Sequence, residues 1–157
     1  MSQIIEQRIA TLLGNFGLLP FYALAIGAWL PLAPMPARLV ELAFIGYAAV
    51  ILSFLGAVHW GLALATPQLT KPQSWNALGW GVLPSLLGWL ALLMALAGVP
   101  MWLVCVFLLG DFALCRLMDG RLAVQYATVP PWYLPLRSRL TLLVGVAVLI
   151  LLFSSLQ

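Results

Sequence analysis

The stretch LVELAFIGYAAVILSFLGAVHWGLALA, residues 39–65, decides the fold class of this chain. Glu41 is its only Asp, Glu, Lys or Arg residue. A helix needs about 20 consecutive, mostly apolar residues to cross the hydrocarbon core of a bilayer. The stretch exceeds that length and therefore predicts a membrane-spanning helix.

The whole composition supports a membrane protein. Only 7% of the residues are charged and 64% are hydrophobic, whereas a soluble domain carries about 25% charged residues. So few charges cannot cover a surface that faces water. The seven basic residues are also too scattered for a patch that follows nucleic-acid phosphates, so we expect no nucleic-acid partner.

Four further stretches meet the same length criterion, and Pro and Gly residues fill the gaps between them. The first resembles a signal peptide only superficially, because it is too long and is interrupted by Asn15 and Pro20. The sequence predicts an all-α integral membrane protein, a bundle of five transmembrane helices in a single domain over 1–157. The predicted spans are about 10–32, 39–65, 77–97, 101–118 and 140–156.

The basic residues predict an orientation. With five spans, six basic residues lie on the side of the amino terminus and only Arg38 lies on the other. Cytoplasmic loops carry the excess of Lys and Arg, so we expect a cytoplasmic amino terminus. The chain shows no Arg- and Ser-rich transit peptide, which favours a bacterial inner membrane. The six residues are Arg8, Lys71, Arg116, Arg121, Arg137 and Arg139.

The second span carries a small residue at every fourth position. Small residues at this spacing let another helix backbone approach closely in lipid. The partner is either another span of this chain or a second protein, including a second copy. His59 lies about 200° around the helix from Ala57 and points away from this stripe. The stripe comprises Ala49, Ser53, Ala57, Gly61 and Ala65.

His59, the only histidine, lies at the depth of Asp111 in the fourth span. An ionisable residue in hydrocarbon should face the bundle interior and have a partner. We therefore expect His59 and Asp111 to pair. The sequence leaves two interpretations open: an interhelical hydrogen bond that fixes packing, or a site that handles a proton or ligand.

Other polar groups fall in the same half of the membrane. Pro20 and Pro84 each free a backbone carbonyl inside a span. Together with Asn15, Trp60, Trp80 and Ser85, they complete a predicted cluster around His59.

The chain lacks the usual signs of a cofactor or catalytic site. One histidine, a carboxylate and two distant cysteines are a poor ligand set for haem or zinc, so we expect no metal or cofactor. Cys105 and Cys115 are about 15 Å apart along one helix, too far for a disulfide. The sequence shows no nucleophile with a matched base, and we expect no enzyme and no catalytic residue.

The segment DGRLAVQYATVPPWYLPLRSRLT, residues 119–141, is predicted as a long loop between the fourth and fifth spans. Trp132 and Tyr133 suit a membrane interface, and Arg137 and Arg139 suit anionic headgroups. The loop is either a surface anchor, a lid over the cytoplasmic half of the bundle, or a docking surface for a partner.

Three motifs together carry a family resemblance: SFLGAVHWG (53–61), GWGVLPSLLGW (79–89) and PPWYLPLRSRLT (130–141). They resemble a domain-of-unknown-function family of small multi-pass membrane proteins that occurs in bacteria and includes the mitochondrial transmembrane protein 69. The resemblance implies several membrane helices and no established activity. It also marks five motif residues without giving them roles: His59, Trp60, Trp132, Tyr133 and Arg137.

Two functions follow as expectations. The first is a non-catalytic accessory or assembly component of a larger membrane complex, with lipids and a protein partner or second copy as neighbours. A respiratory complex is one candidate, which only the mitochondrial members of the family suggest. The second is a binder or transporter of a small apolar or protonatable ligand at the polar cluster.

Overall fold

The computed structural model describes residues 2–30, 36–66, 69–125 and 129–156. Over these ranges the chain forms five helices and no strand, and each helix is long and apolar enough to cross a membrane. The predicted fold class, an all-α bundle of five transmembrane helices, is confirmed. The helices are α1 (Ser2–Gly27), α2 (Ala37–Ala65), α3 (Lys71–Leu96), α4 (Met101–Gln125) and α5 (Tyr133–Ser154).

Most helices extend beyond the predicted spans, because the apolar criterion finds only the part of a helix that suits hydrocarbon. The polar turns that flank this apolar part are helical too. At the start of α3 the Gln73 side-chain oxygen accepts a hydrogen bond from the Thr70 backbone N–H at 3.0 Å, which satisfies one exposed donor of the helix end. The predicted end of the first span, at residue 32, lies outside the described residues, and α1 ends at Gly27.

The prediction of a long loop over 119–141 is wrong for most of its length. Helix α4 continues to Gln125 and α5 begins at Tyr133. Pro130 and Pro131 precede α5, and Pro135 lies in its first turn, where a missing N–H costs no helical hydrogen bond. Residues 126–128 lie outside the described part of the chain.

Helices α2 and α3 pack closely through glycine. A Cβ atom on Gly56 would overlap the backbone carbonyl oxygen of Gly81, and one on Gly88 would lie 2.9 Å from the Ala49 Cα. Without side chains at these positions the two backbones can approach one another, which is how helices gain dispersion contacts in lipid.

The predicted small-residue stripe does not form this contact. Ser53, Ala57, Gly61 and Ala65 are exposed, and a Cβ on Gly61 would have nothing within 4 Å. The expected packing of Ala57 and Gly61 against another span of this chain is therefore wrong. The buried face of α2 follows mixed spacings of three and four residues, as helix geometry requires, and only Ala49 of the stripe contributes to it.

Aromatic side chains fill the centre of the bundle between α1, α2 and α4. The Phe21 ring contacts Phe44 and Phe112 edge to face, with ring centroids 5.2 and 6.1 Å apart. Tyr22 of α1 donates its hydroxyl hydrogen to the Leu143 carbonyl of α5 at 2.9 Å. This core holds α4 and α5 in a fixed register beside α1 and α2.

Candidate functional site

A buried charged triad joins three helices. The Arg137 Nε of α5 donates to the Asp119 Oδ2 of α4 at 2.7 Å, and the His59 Nε2 of α2 lies 3.4 Å from the Asp119 Oδ1. His59, Asp119 and Arg137 are 5%, 1% and 8% exposed. One carboxylate therefore links two cationic or cation-forming side chains in the bundle interior.

Helix geometry explains why these three residues meet. His59 and Asp119 each lie about 9 Å before the ends of α2 and α4, at a rise of 1.5 Å per residue. Arg137 lies in the second turn of α5, which runs antiparallel to both. All three therefore lie near the end of the bundle that holds the start of α1.

The structure corrects the predicted partner of His59. Among the described residues, the carboxylate within ion-pair distance of His59 is that of Asp119, not Asp111. Asp111 does face the interior, at 4% exposure, but it lies about 12 Å deeper along α4. The apolar criterion ends the fourth span at residue 118, which places Asp119 at the start of the predicted loop and not in the bundle.

Asp111 and Asp119 belong to a polar line between α4 and α5. Asp111, Cys115 and Asp119 recur every fourth residue and lie on one face of α4. The Cys115 Sγ donates weakly to the Asp111 Oδ1 at 3.7 Å. These three residues are buried, so the line faces the bundle interior, and Asp119 joins it to α5 through Arg137.

Helix α5 provides the opposite side. Tyr133, Arg137 and Thr141 also recur every fourth residue. The contact of Arg137 with Asp119, and a 2.8 Å bond from the Arg116 Nε to the Ser138 Oγ, fix the antiparallel register and place Thr141 at the level of Cys115. We call these two rows the polar seam: Asp111, Cys115 and Asp119 with Tyr133, Arg137 and Thr141.

Four polar atoms of the seam are buried and make no hydrogen bond of good geometry within the described ranges, although one of them, the Tyr133 hydroxyl, lies close to the Arg137 side chain. They are the Asp111 Oδ2, the Tyr133 hydroxyl oxygen, the Arg137 Nη2 and the Thr141 Oγ1. A buried polar group without a partner costs about 1–3 kcal/mol, and nearly all such groups in native proteins bind protein atoms or ordered water. These atoms make the seam the candidate site for an external hydrogen-bonding group.

The other predicted members of the cluster make contacts elsewhere. The Asn15 Oδ1 accepts a bond from the Arg139 Nη2 at 3.1 Å, which joins α1 to α5. The Trp60 indole donates to the Leu78 carbonyl at 2.9 Å and ties α2 to α3. The Ser85 hydroxyl donates to the Val82 carbonyl of its own helix at 2.7 Å.

The two remaining tryptophans of interest have buried indole nitrogens. The Nε1 atoms of Trp80 and Trp132 have no hydrogen-bond partner among the residues described. Trp80 shares the face of α3 that carries Gly81 and Pro84, both of which are buried. Trp132 immediately precedes Tyr133 at the start of α5, at the outer end of the polar seam.

Arg137 and Arg139 have different roles, although both were predicted to face headgroups. The Arg137 side chain is buried against Asp119, and the prediction for it is wrong, because α5 begins early enough to place Arg137 inside the bundle. Arg139 lies two residues further along α5, about 200° around the helix, and is exposed. One feature of the sequence does predict the seam. Asp111, Cys115 and Asp119 are spaced four residues apart, which places them on one face of a helix.

The cysteines and acidic residues do not gather into a metal site. In the part of the chain that the structure describes, no group of three or more His, Cys, Asp or Glu side chains could hold a metal ion. Cys105 and Cys115 are both buried free thiols on α4.

Comparison with known proteins identifies a family that matches most of the chain. A family model described as "Protein of unknown function (DUF3429)" matches residues 6–153. Transmembrane protein 69 of Xenopus tropicalis is 33% identical over 144 residues, which cover 84% of this chain and 49% of that protein. The chain thus spans about half the length of this curated relative. No solved structure matches the chain.

Proposed function

The chain belongs to the DUF3429 family of membrane proteins, and from this premise we propose that its polar seam binds a small protonatable ligand within the membrane. The observation that carries the proposal is the set of four buried, unpartnered polar atoms along one helix contact. An intramembrane ionisable group is by default a functional-site hypothesis. Here two carboxyl groups and an arginine lie along one line.

The chemistry of the seam suits a group that gains and loses a proton. Its outer end offers donors, the Tyr133 hydroxyl and the Arg137 Nη2, while its inner end offers an acceptor, the Asp111 Oδ2. The Arg137 Nε is already bound to Asp119, so the Nη2 can form a second charge-assisted bond. A small weak acid with an apolar body would bind the donors at this outer end, since Asp111 lies about 12 Å deeper along α4 than Asp119.

We also propose a membrane and an orientation for the site. We place the chain in a bacterial inner membrane, with the amino terminus and the outer end of the seam towards the cytoplasm. The six-to-one distribution of basic residues supports this orientation. The role we propose is binding or transport, without a chemical step.

Tyr133→Phe tests the ligand. Without a ligand, the substitution removes a buried hydroxyl that makes no hydrogen bond of good geometry, so stability should change little. With a ligand that binds the hydroxyl, we expect the co-purified small molecule to fall about two- to tenfold. The measurement is mass spectrometry of small molecules released from protein purified in mild detergent, with a thermal melt in parallel.

Tyr22→Phe is the matched control, because the Tyr22 hydroxyl has a protein partner in the Leu143 carbonyl. This variant should lose about 1 kcal/mol of stability and retain the small molecule. If the wild-type protein yields no small molecule and Tyr133→Phe is simply more stable, the seam binds none.

A second candidate function is supported by a different surface of the protein. Ser53, Ala57 and Gly61 form a small-residue stripe on the exposed side of α2. Such a stripe suits close approach of another helix in lipid. We infer from it an accessory or assembly role in a larger membrane complex, for which a respiratory complex is one candidate partner.

Gly61→Leu tests this second role. Because a Cβ at Gly61 would have nothing within 4 Å and Gly61 is exposed, the isolated chain should keep its stability while its association with a partner or second copy is lost. Gly110→Leu on α4, which is equally open, should leave both unchanged. Native gel electrophoresis in mild detergent reports the association, and equal migration of both variants with wild type would exclude this stripe as the interface.

A further inference from the structure

A second polar surface lies on α1, at the same end of the bundle as the triad but on the outside. It is a groove of about 350 Å³ along one face of the helix. We propose that this groove binds the phosphate headgroup of an anionic phospholipid. The proposal does not depend on the polar seam. The groove is lined by Ile4, Gln7, Arg8, Thr11, Leu12 and Asn15.

Every polar side chain of the lining can donate a hydrogen bond. Arg8 supplies a full positive charge, Thr11 a hydroxyl and Gln7 an amide. The Asn15 Oδ1 accepts a bond from the Arg139 Nη2, so the Asn15 amide nitrogen is left to donate. Phosphate oxygens are acceptors only, and their bonds to guanidinium are charge-assisted and short.

The charge near the groove favours an anion. Among the ion pairs of the described residues, none involves Arg8 or Arg139. Glu6 is the acidic residue nearest to Arg8 in sequence, but it lies about 200° around α1 and faces away. Arg8 in the groove and Arg139, which bonds Asn15 at the deeper end of the groove, are therefore two cations without a neutralising carboxylate.

The length of α1 places the groove at the height of the headgroups. Its 26 residues extend about 39 Å, whereas the hydrocarbon core is about 30 Å thick. The polar residues of α1 are concentrated in its first two turns, which include Glu6 and Arg8, so we assign the excess length to that end. Anionic lipids attract basic side chains at this depth.

Apolar side chains beside the groove select a lipid over free phosphate. Leu12 and Phe16 are 56% and 57% exposed and lie deeper along α1 than Arg8. Acyl chains that extend from a bound headgroup would run over these side chains, which soluble phosphate cannot use. The structure thus combines a donor-rich groove with an apolar track that leads into the membrane.

The test uses the whole protein in bilayer discs made from equal parts of phosphatidylglycerol and phosphatidylcholine. Native mass spectrometry after release counts the lipids that stay bound. We expect wild-type protein to retain phosphatidylglycerol preferentially, and Arg8→Gln to lower that retention about tenfold, as expected for one charge-assisted bond. Arg139→Gln should lower it less, because Arg139 acts through Asn15.

Lys71→Gln is the matched control, since Lys71 is an exposed cation at the same end of the bundle on α3. Arg8 and Lys71 are exposed, so the thermal melts of Arg8→Gln and Lys71→Gln should match wild type, whereas Arg139→Gln also loses the bond to Asn15 and should melt slightly lower. Equal retention of both lipids, or an equal loss in Lys71→Gln, would overturn the proposal. Displacement of the lipid by millimolar inorganic phosphate would overturn it too, since it would mark a general anion site.

Discussion

Asp119→Leu is expected to lower the free energy of unfolding by about 3–5 kcal/mol, because it leaves Arg137 buried without its carboxylate. The Arg137 Nε bonds the Asp119 Oδ2 at 2.7 Å, and Asp119 is 1% exposed. Removing one partner of a buried pair carries this cost because the other charge is left uncompensated. Denaturation of the purified protein in detergent, followed by circular dichroism, measures the loss.

The double variant Asp119→Leu with Arg137→Met separates charge from packing. Replacing a buried ion pair by apolar residues of similar volume is often close to neutral, so most of the loss should be recovered. Arg116→Gln is the control at the same helix contact. It breaks only the bond to Ser138 and should cost about 1 kcal/mol. Equal losses in the single and double variants would show that the ion pair is not what stabilises this end of the bundle.

Gly56→Leu should have the second largest effect, a loss at or above the upper end of the roughly 1–3 kcal/mol that overpacking costs. Even the first side-chain atom would overlap the Gly81 carbonyl oxygen. A backbone atom cannot rotate out of the way as a side chain can, so α2 and α3 would have to move apart. A thermal melt in detergent is sufficient to detect the change.

Gly61→Leu makes the same substitution one and a half turns further along α2. It should leave the melt of the isolated chain unchanged, because Gly61 is exposed and a Cβ there would have no neighbouring side chain or helix within 4 Å. The periodicity of small residues alone predicts the opposite ranking. A larger loss in Gly61→Leu than in Gly56→Leu would mean that the contact face of α2 is the one the four-residue stripe predicted.

The fold class was accessible from sequence because a bilayer imposes a strict condition on length and composition. The stretch over 39–65 meets it with one charged residue, and a chain in which 7% of the residues are charged has too few to cover a water-facing surface around five such stretches. Helix ends were less accessible. Polar turns such as those around Arg8 and Gln125 are helical, but they carry no apolar signal.

The site was predicted only in part. Sequence placed His59 and Asp111 in the interior, where both are buried, because an ionisable group is costly in lipid. The partner of His59 was missed because Asp119 follows a predicted helix end. The alignment of Thr141 with Cys115 depends on the register between α4 and α5, and register between helices is a property of packing that one sequence does not reveal.

The triad has a consequence for the synthesis of the chain. Proteins are made from the amino terminus at about 5–20 residues per second, so the segment with His59 and Asp119 leaves the ribosome before Arg137 does. Until α5 is inserted, Asp119 has no arginine to neutralise it, and such a charge is unfavourable in the bilayer. A partly inserted chain therefore differs from a finished one by an uncompensated charge. The insertion of α5 completes the bundle and, in the same step, brings Arg137 to neutralise Asp119.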